Sequence, residues 1–103
     1  IVCKIDKDGS GIYSIDTKIG FFDHMLEALS KHSGIDIDLK CDGDIHIDDH
    51  HSVEDCGIVL GQALKKEIFP INQVERYGNA TVVMDEASVT VALDLSNRPI
   101  FSL

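Results

Sequence analysis

Phe21-Phe22-Asp23-His24-Met25-Leu26-Glu27-Ala28-Leu29-Ser30-Lys31-His32-Ser33-Gly34-Ile35-Asp36-Ile37-Asp38-Leu39-Lys40-Cys41 changes its hydrophobic period once, at Gly34, and that change decides the fold class. Before Gly34, the pairs Phe21/Phe22 and Met25/Leu26 and then Leu29 recur at helical spacing. This predicts a helix over 21–32, with Gly34 as its stop signal. After Gly34, Ile35, Ile37, Leu39 and Cys41 alternate with Asp36, Asp38, Lys40 and Asp42, the pattern of a strand with one buried and one wet face. A helix with an apolar stripe followed at once by a strand with one dry face is a mixed α and β pattern.

Ile1–Asp6 also alternates, Asp8-Gly9-Ser10-Gly11 is turn chemistry, and Ile12–Asp16 resumes the alternation. These segments read as a β-hairpin. Downstream, Gly43–His51 has no helical period and reads as loop or extended chain. Ser52-Val53-Glu54-Asp55 has capping-box form and opens an apolar stripe of Val53, Cys56, Val59/Leu60, Ala63/Leu64 and Ile68, predicting a second helix that ends near Phe69-Pro70. Ala80–Met84 and Ser88–Leu95 read as two more strands. The elements expected, in order, are a hairpin, a helix, a strand and a helix, an α+β chain.

The chain carries a faint echo of itself. Laid on Leu93–Leu103, the segment Ile5–Ile15 matches identically at Asp6/Asp94, Ile12/Ile100 and Ser14/Ser102, and similarly at Ile5/Leu93, Gly9/Asn97, Tyr13/Phe101 and Ile15/Leu103. One reading is two exposed hairpins sharing a common pattern. The other is a duplicated architecture, with residues 1–78 as a first β-β-α-β-α half and 79–103 as the opening strands of a second, truncated copy.

Composition narrows the function classes. The 103 residues include 18 acidic and 9 basic side chains, a formal net charge of −9. No basic face is available to displace counterions, so a nucleic-acid partner is not expected. The apolar share of 44% is sufficient for a core. No apolar run of about 18 residues predicts a membrane span, and no basic-apolar leader is read at the start. Cys3, Cys41 and Cys56 fit no zinc or redox spacing, so reduced thiols in a cytoplasmic protein are expected, with Cys56 in the core.

The charge is concentrated. All 5 histidines lie between His24 and His51, and Asp36, Asp38, Asp42, Asp44, Asp48, Asp49, Glu54 and Asp55 crowd the same region. His50 and Glu54 are four apart, so on a helix they share a face and can chelate one ion, whereas His51 is rotated by about 100° and points elsewhere. One short segment can thus serve two metal sites, with Asp48, Asp49 and Asp55 as acceptors that orient the imidazoles. The competing reading is a solvated acidic helix start, in which carboxylates complement the helix dipole. It accounts for Glu54 and Asp55 but not for adjacent histidines. The order His-x-x-Glu-Asp is not that of a zinc protease. His24, beside Phe21-Phe22, is a candidate third ligand, while His32 and His46 have no partner at ligand spacing. The two arginines, Arg76 and Arg98, stand next to turn residues and are the natural forks for a phosphate.

Gly20-Phe21-Phe22-Asp23-His24-Met25-Leu26, the block Gly43–Asp55, Leu60-Gly61-Gln62-Ala63-Leu64, Arg76-Tyr77-Gly78 and Asp94-Leu95-Ser96-Asn97-Arg98-Pro99 together resemble the imidazoleglycerol-phosphate dehydratase family. The resemblance implies a duplication of two α/β halves of ribosomal protein S5 domain 2-like architecture, each an α+β two-layer sandwich of hairpin–α–β–α form in which two helices cover a small sheet. It implies a hydro-lyase of histidine biosynthesis that converts imidazoleglycerol phosphate to imidazoleacetol phosphate with two Mn²⁺ ions, in homo-oligomers whose trimers build a 24-mer. Carried over by position, His24 and His51 resemble ligands of one ion, and His50 and Glu54 ligands of the other. His50, His51 and Glu54 resemble the catalytic set. The stretch His24–His32 resembles part of the substrate pocket, and Arg76 and Arg98 resemble contacts to the substrate phosphate. Two ligands per ion come from this segment, and the rest are expected from a second copy of the motif. The reading from a different class is a non-catalytic, half-length metal-binding or oligomerising module.

Overall fold

β1 (Val2–Asp6), β2 (Tyr13–Asp16), α1 (Gly20–Ser33), β3 (Asp36–Lys40), α2 (His50–Ile68), β4 (Tyr77–Met84) and β5 (Ala87–Asp94) follow in that order in a computed structural model that describes residues 1–102. The chain divides into two units, Ile1–Ile68 and Phe69–Leu103. The boundary expected after Gly78 falls inside β4, because Tyr77 and Gly78 already pair with Asp94 and Leu93 of β5.

The first unit has the α+β form expected, a three-stranded sheet with two helices, but its strand order is β1-β3-β2. The predicted hairpin of β1 and β2 does not form. β3 stands between them, antiparallel to β1 (Ile5↔Ile37, Cys3↔Leu39) and parallel to β2 (Tyr13↔Ile37, Ile15↔Leu39). The physical reason is burial. Ile37 and Leu39 are only 2% and 0% exposed, and a strand that deep must satisfy its backbone groups on both edges. Cys3, Ile5, Ile15, Ile37 and Leu39 form the dry face, closed by Phe22 and Leu26 of α1 and by Cys56 and Leu60 of α2. The opposite face is wet, and Lys40 Nζ donates across it to Ser14 Oγ at 2.7 Å.

The turn between β1 and β2 crosses the start of β3 and is pinned there by Asp36. Its Oδ1 accepts from the backbone N–H groups of Ile12 (2.8 Å) and Ser10 (2.9 Å), and a Cβ on Gly9 would overlap the carboxylate. These donors, Ile12 first and then Ser10, hold the Asp36 carboxyl below the usual carboxylate range. A depressed folded pKa stabilises at pH above the unfolded value and is lost as pH falls through the folded one. The melting temperature is therefore expected to drop as pH falls below about 4. Asp36→Asn should flatten part of that drop while lowering stability at pH 7. Thermal melts from neutral to acid pH check this, and equal acid sensitivity in the variant would refute it.

α1 spans the predicted stretch. Its start has no side-chain cap at Ile19; instead Asp23 Oδ1 accepts from the Thr17 N–H at 2.9 Å and from the buried Thr17 hydroxyl. Its end is the predicted glycine: Gly34 takes φ 76° and its N–H donates to Ser30 at 3.0 Å. The Phe21/Phe22 pair splits, with Phe22 packed against the core and Phe21 75% exposed, in line with the exposed Met25 and Leu29.

The second unit is an antiparallel β4–β5 ribbon. One face reads Ala80↔Val91, Val82↔Val89 and Met84↔Ala87, wholly apolar and exposed, while Thr81 and Thr90 meet hydroxyl to hydroxyl at 2.9 Å on the other. Residues 100–102, the echo of β2, form no strand. β2 owes its pairing to β3, and the ribbon has no equivalent of β3 among the described residues. Leu103, the echo of Ile15, lies outside the described residues. No helix among them is long and apolar enough to cross a membrane.

Candidate functional site

The start of α2 is built by the aspartates before it. Asp44 closes a turn by accepting from Ile47 N–H at 3.0 Å and Asp48 N–H at 3.3 Å. Asp48 Oδ1 then accepts from the His50 N–H at 3.0 Å, and the first helical bond runs from Val53 N–H to the Asp49 carbonyl at 3.1 Å. Both histidines of the pair are therefore inside the helix. The capping box read at Ser52 is corrected: Asp48 caps four residues earlier, and Ser52 is buried in the first turn on the sheet-facing side with Cys56. Cys56 is the core thiol expected. Burial, and then its hydrogen bond with Cys41, push it up to about 12, so it stays protonated.

The consequence at the surface is a donor edge. His50 Nε2 stands 3.0 Å from Glu54 Oε2, one turn apart, with side chains 70% and 55% exposed. The His51 ring is 6.1 Å from that of His50 and tilted by 49°, so it presents its nitrogens in another direction, as helical geometry requires. His24 and His32 are both exposed on α1, and Asp49 and Asp55 are exposed beside the histidine pair. Asp48 spends one carboxylate oxygen on the helix start rather than on an imidazole.

In the second unit, Arg76 forms a fork with Asp94, Nε to Oδ1 at 2.7 Å and NH2 to Oδ2 at 3.1 Å, and lies 5.0 Å from the centre of the Tyr77 ring. The pair holds the Arg76 guanidinium above its usual range and the Asp94 carboxyl below its own. Arg98 is exposed in the turn after β5, its N–H donating to Ser96 Oγ at 3.2 Å.

Among the described residues no group of three or more His, Cys, Asp or Glu side chains is close enough to hold an ion. What the structure does bring together is one nitrogen and one carboxylate oxygen, outward-facing. A hard oxygen beside a borderline nitrogen is a donor set that a divalent ion such as Mn²⁺ accepts, provided further ligands come from outside this segment. Sequence reasoning found this edge because its geometry is local. It missed the Asp48 cap and the packing of Ser52. The Asp-x-His spacing before an apolar stripe was the available signal for the first.

The family model described as imidazoleglycerol-phosphate dehydratase matches residues 17–103. Proteins named imidazoleglycerol-phosphate dehydratase from Aliarcobacter butzleri and Campylobacter fetus are 78% and 69% identical over 99 residues, which is 96% of this chain and 52% of theirs. The chain thus spans about half the length of the curated relatives it matches. The crystal structure of the Staphylococcus aureus imidazoleglycerol-phosphate dehydratase superposes with a TM-score of 0.83 at 38% identity, covering 94% of this chain and 54% of that one, as one half of a duplicated fold would. With its motifs, its two-helix half and these relatives in agreement, the chain belongs to the imidazoleglycerol-phosphate dehydratase family.

Proposed function

We propose that this segment supplies half of the dimetal site of a cytoplasmic, homo-oligomeric hydro-lyase of histidine biosynthesis, which dehydrates imidazoleglycerol phosphate to imidazoleacetol phosphate. The observation that carries the reading is the exposed His50–Glu54 edge, 3.0 Å from donor to donor, in a chain of this family. His50 and Glu54 would hold one Mn²⁺, and His24 and His51 one half of the second ligand set. Bound there, the ions supply Lewis acidity, which suits a reaction that must remove a carbon-bound proton no neighbouring carbonyl acidifies. The chain's own part is positioning: α2 sets His50 and His51 in divergent directions, and the stretch His24–His32 on α1 lines the substrate. Arg76 and Arg98 would meet the phosphate, Arg76 by exchanging its Asp94 partner for a second planar anion.

The test is metal removal from the full-length protein. Chelation should abolish dehydration of imidazoleglycerol phosphate and added Mn²⁺ should restore it, whereas the 103-residue segment assayed alone as a monomer should give no product. Turnover by that monomer would overturn the shared-site reading, and full activity after chelation would overturn the metal.

A further inference from the structure

Gly43 lies between β3 and α2, and its φ is not among the positive values, so backbone conformation does not require a glycine there. Space does. A Cβ at this position would overlap Ser52 Oγ and would stand 3.5 Å from Ser52 Cβ and 3.6 Å from Cys41 Sγ. Ser52 is 3% exposed, and its hydroxyl has no hydrogen-bond partner among the described residues. A buried hydroxyl without a partner is a cost that another requirement must outweigh. The requirement visible here is fit: the hydroxyl fills the space that the missing Cβ leaves, and Cys56, one turn further along, is buried on the same helix face.

Helical rotation ties this contact to the donor edge. At about 100° per residue, His50 lies about 160° from Ser52 in one sense and Glu54 about 160° in the other, so the two bracket the direction opposite Ser52. Seating Ser52 on Gly43 therefore turns His50 and Glu54 outward and leaves His51 at about 100° to the side. We propose that Gly43 and Ser52 are positioning residues whose close contact sets the rotation of the first turn of α2, and with it the aim of the His50–Glu54 edge. The inference rests on the metal reading of that edge.

The experiment uses the full-length protein in four forms: Gly43→Ala, Ser52→Ala, the Gly43→Ala/Ser52→Ala double variant, and His50→Ala as a control. Mn²⁺ affinity is read from the loss of the free-ion electron paramagnetic resonance signal, and folding from thermal melts without metal. Gly43→Ala should weaken Mn²⁺ binding about tenfold or more, as loss of a ligand-orienting contact does. The double variant should return to near the parent affinity, because removing the hydroxyl makes room for the new methyl. If Gly43→Ala fails to fold, recovery of both folding and affinity in the double variant supports the proposal in the same way. Unchanged affinity in folded Gly43→Ala, a lowered melting temperature with parent-like affinity, or no recovery in the double variant would each overturn it. Unchanged Mn²⁺ binding in His50→Ala would instead sink the metal reading itself, so the two failures are distinguishable.

Discussion

On the proposed function, the full-length protein carrying Glu54→Gln is expected to lose about a thousandfold in turnover at saturating Mn²⁺, the scale of the several kcal/mol a Lewis acid contributes, while its melting temperature without metal should stay close to the parent's. The two halves of this expectation come from one geometry. Glu54 is more than half exposed and its side chain meets His50 at 3.0 Å, on the side of α2 opposite the buried Ser52 and Cys56. Surface changes remote from the core alter stability by no more than about 0.5 kcal/mol. The amide keeps the shape but not the charge, so the proposed ligand would be weakened without disturbing the helix. His50→Ala should cost a similar amount, and the double variant little more than either alone, because the two donors proposed for one ion would act as a unit. Kinetics in parallel with melts of all three variants check this. Additive losses would mean that the residues serve separate roles, and retained turnover in either single variant would remove Glu54 and His50 from the site.

What the sequence made legible was whatever depends on near neighbours. α1 and its Gly34 terminus follow from spacing and turn chemistry, and the His50–Glu54 edge follows from one helical turn. The position of β3 between β1 and β2 was not legible, because all three strands alternate alike and the choice rests on which one the helices bury deepest. The start of α2 was misread for a related reason. Ser52 is as good a cap as Asp48 on composition, and only the packing of its side chain beside Gly43 excludes it. Phe21 and Phe22 show the same limit, since adjacent apolar residues specify two helix phases and the fold buries one of them. The fork between Arg76 and Asp94 depends on β4 pairing with β5 in the observed register, so the sequence offered two loop arginines without saying what they hold.

Leu39→Ala is expected to be the most damaging single core change in the first unit, at about 3 kcal/mol, within the range for truncating a fully buried leucine. Leu39 is 0% exposed on the central strand, with Cys3 paired to it on one side and Ile15 on the other, and the helices close over the same face. Among the described residues the buried apolar set is Leu26, Ile37, Leu39, Cys41 and Cys56, so few side chains are available to collapse into the space. A core this small has little stability in reserve. Ile58→Ala is the matched control, since Ile58 lies on α2 but is 53% exposed and should cost well under about 1 kcal/mol. Urea melts of the full-length protein should show a lower midpoint for Leu39→Ala and a nearly unchanged one for Ile58→Ala. Equal losses in both would mean that the apolar surface of α2 is covered as deeply as its sheet-facing side. A loss confined to Leu39→Ala carries a second consequence. The face that buries Cys56 and Ser52 against this sheet also turns His50 and Glu54 outward, so the Mn²⁺ affinity of Leu39→Ala should fall at the denaturant concentration where the first unit opens.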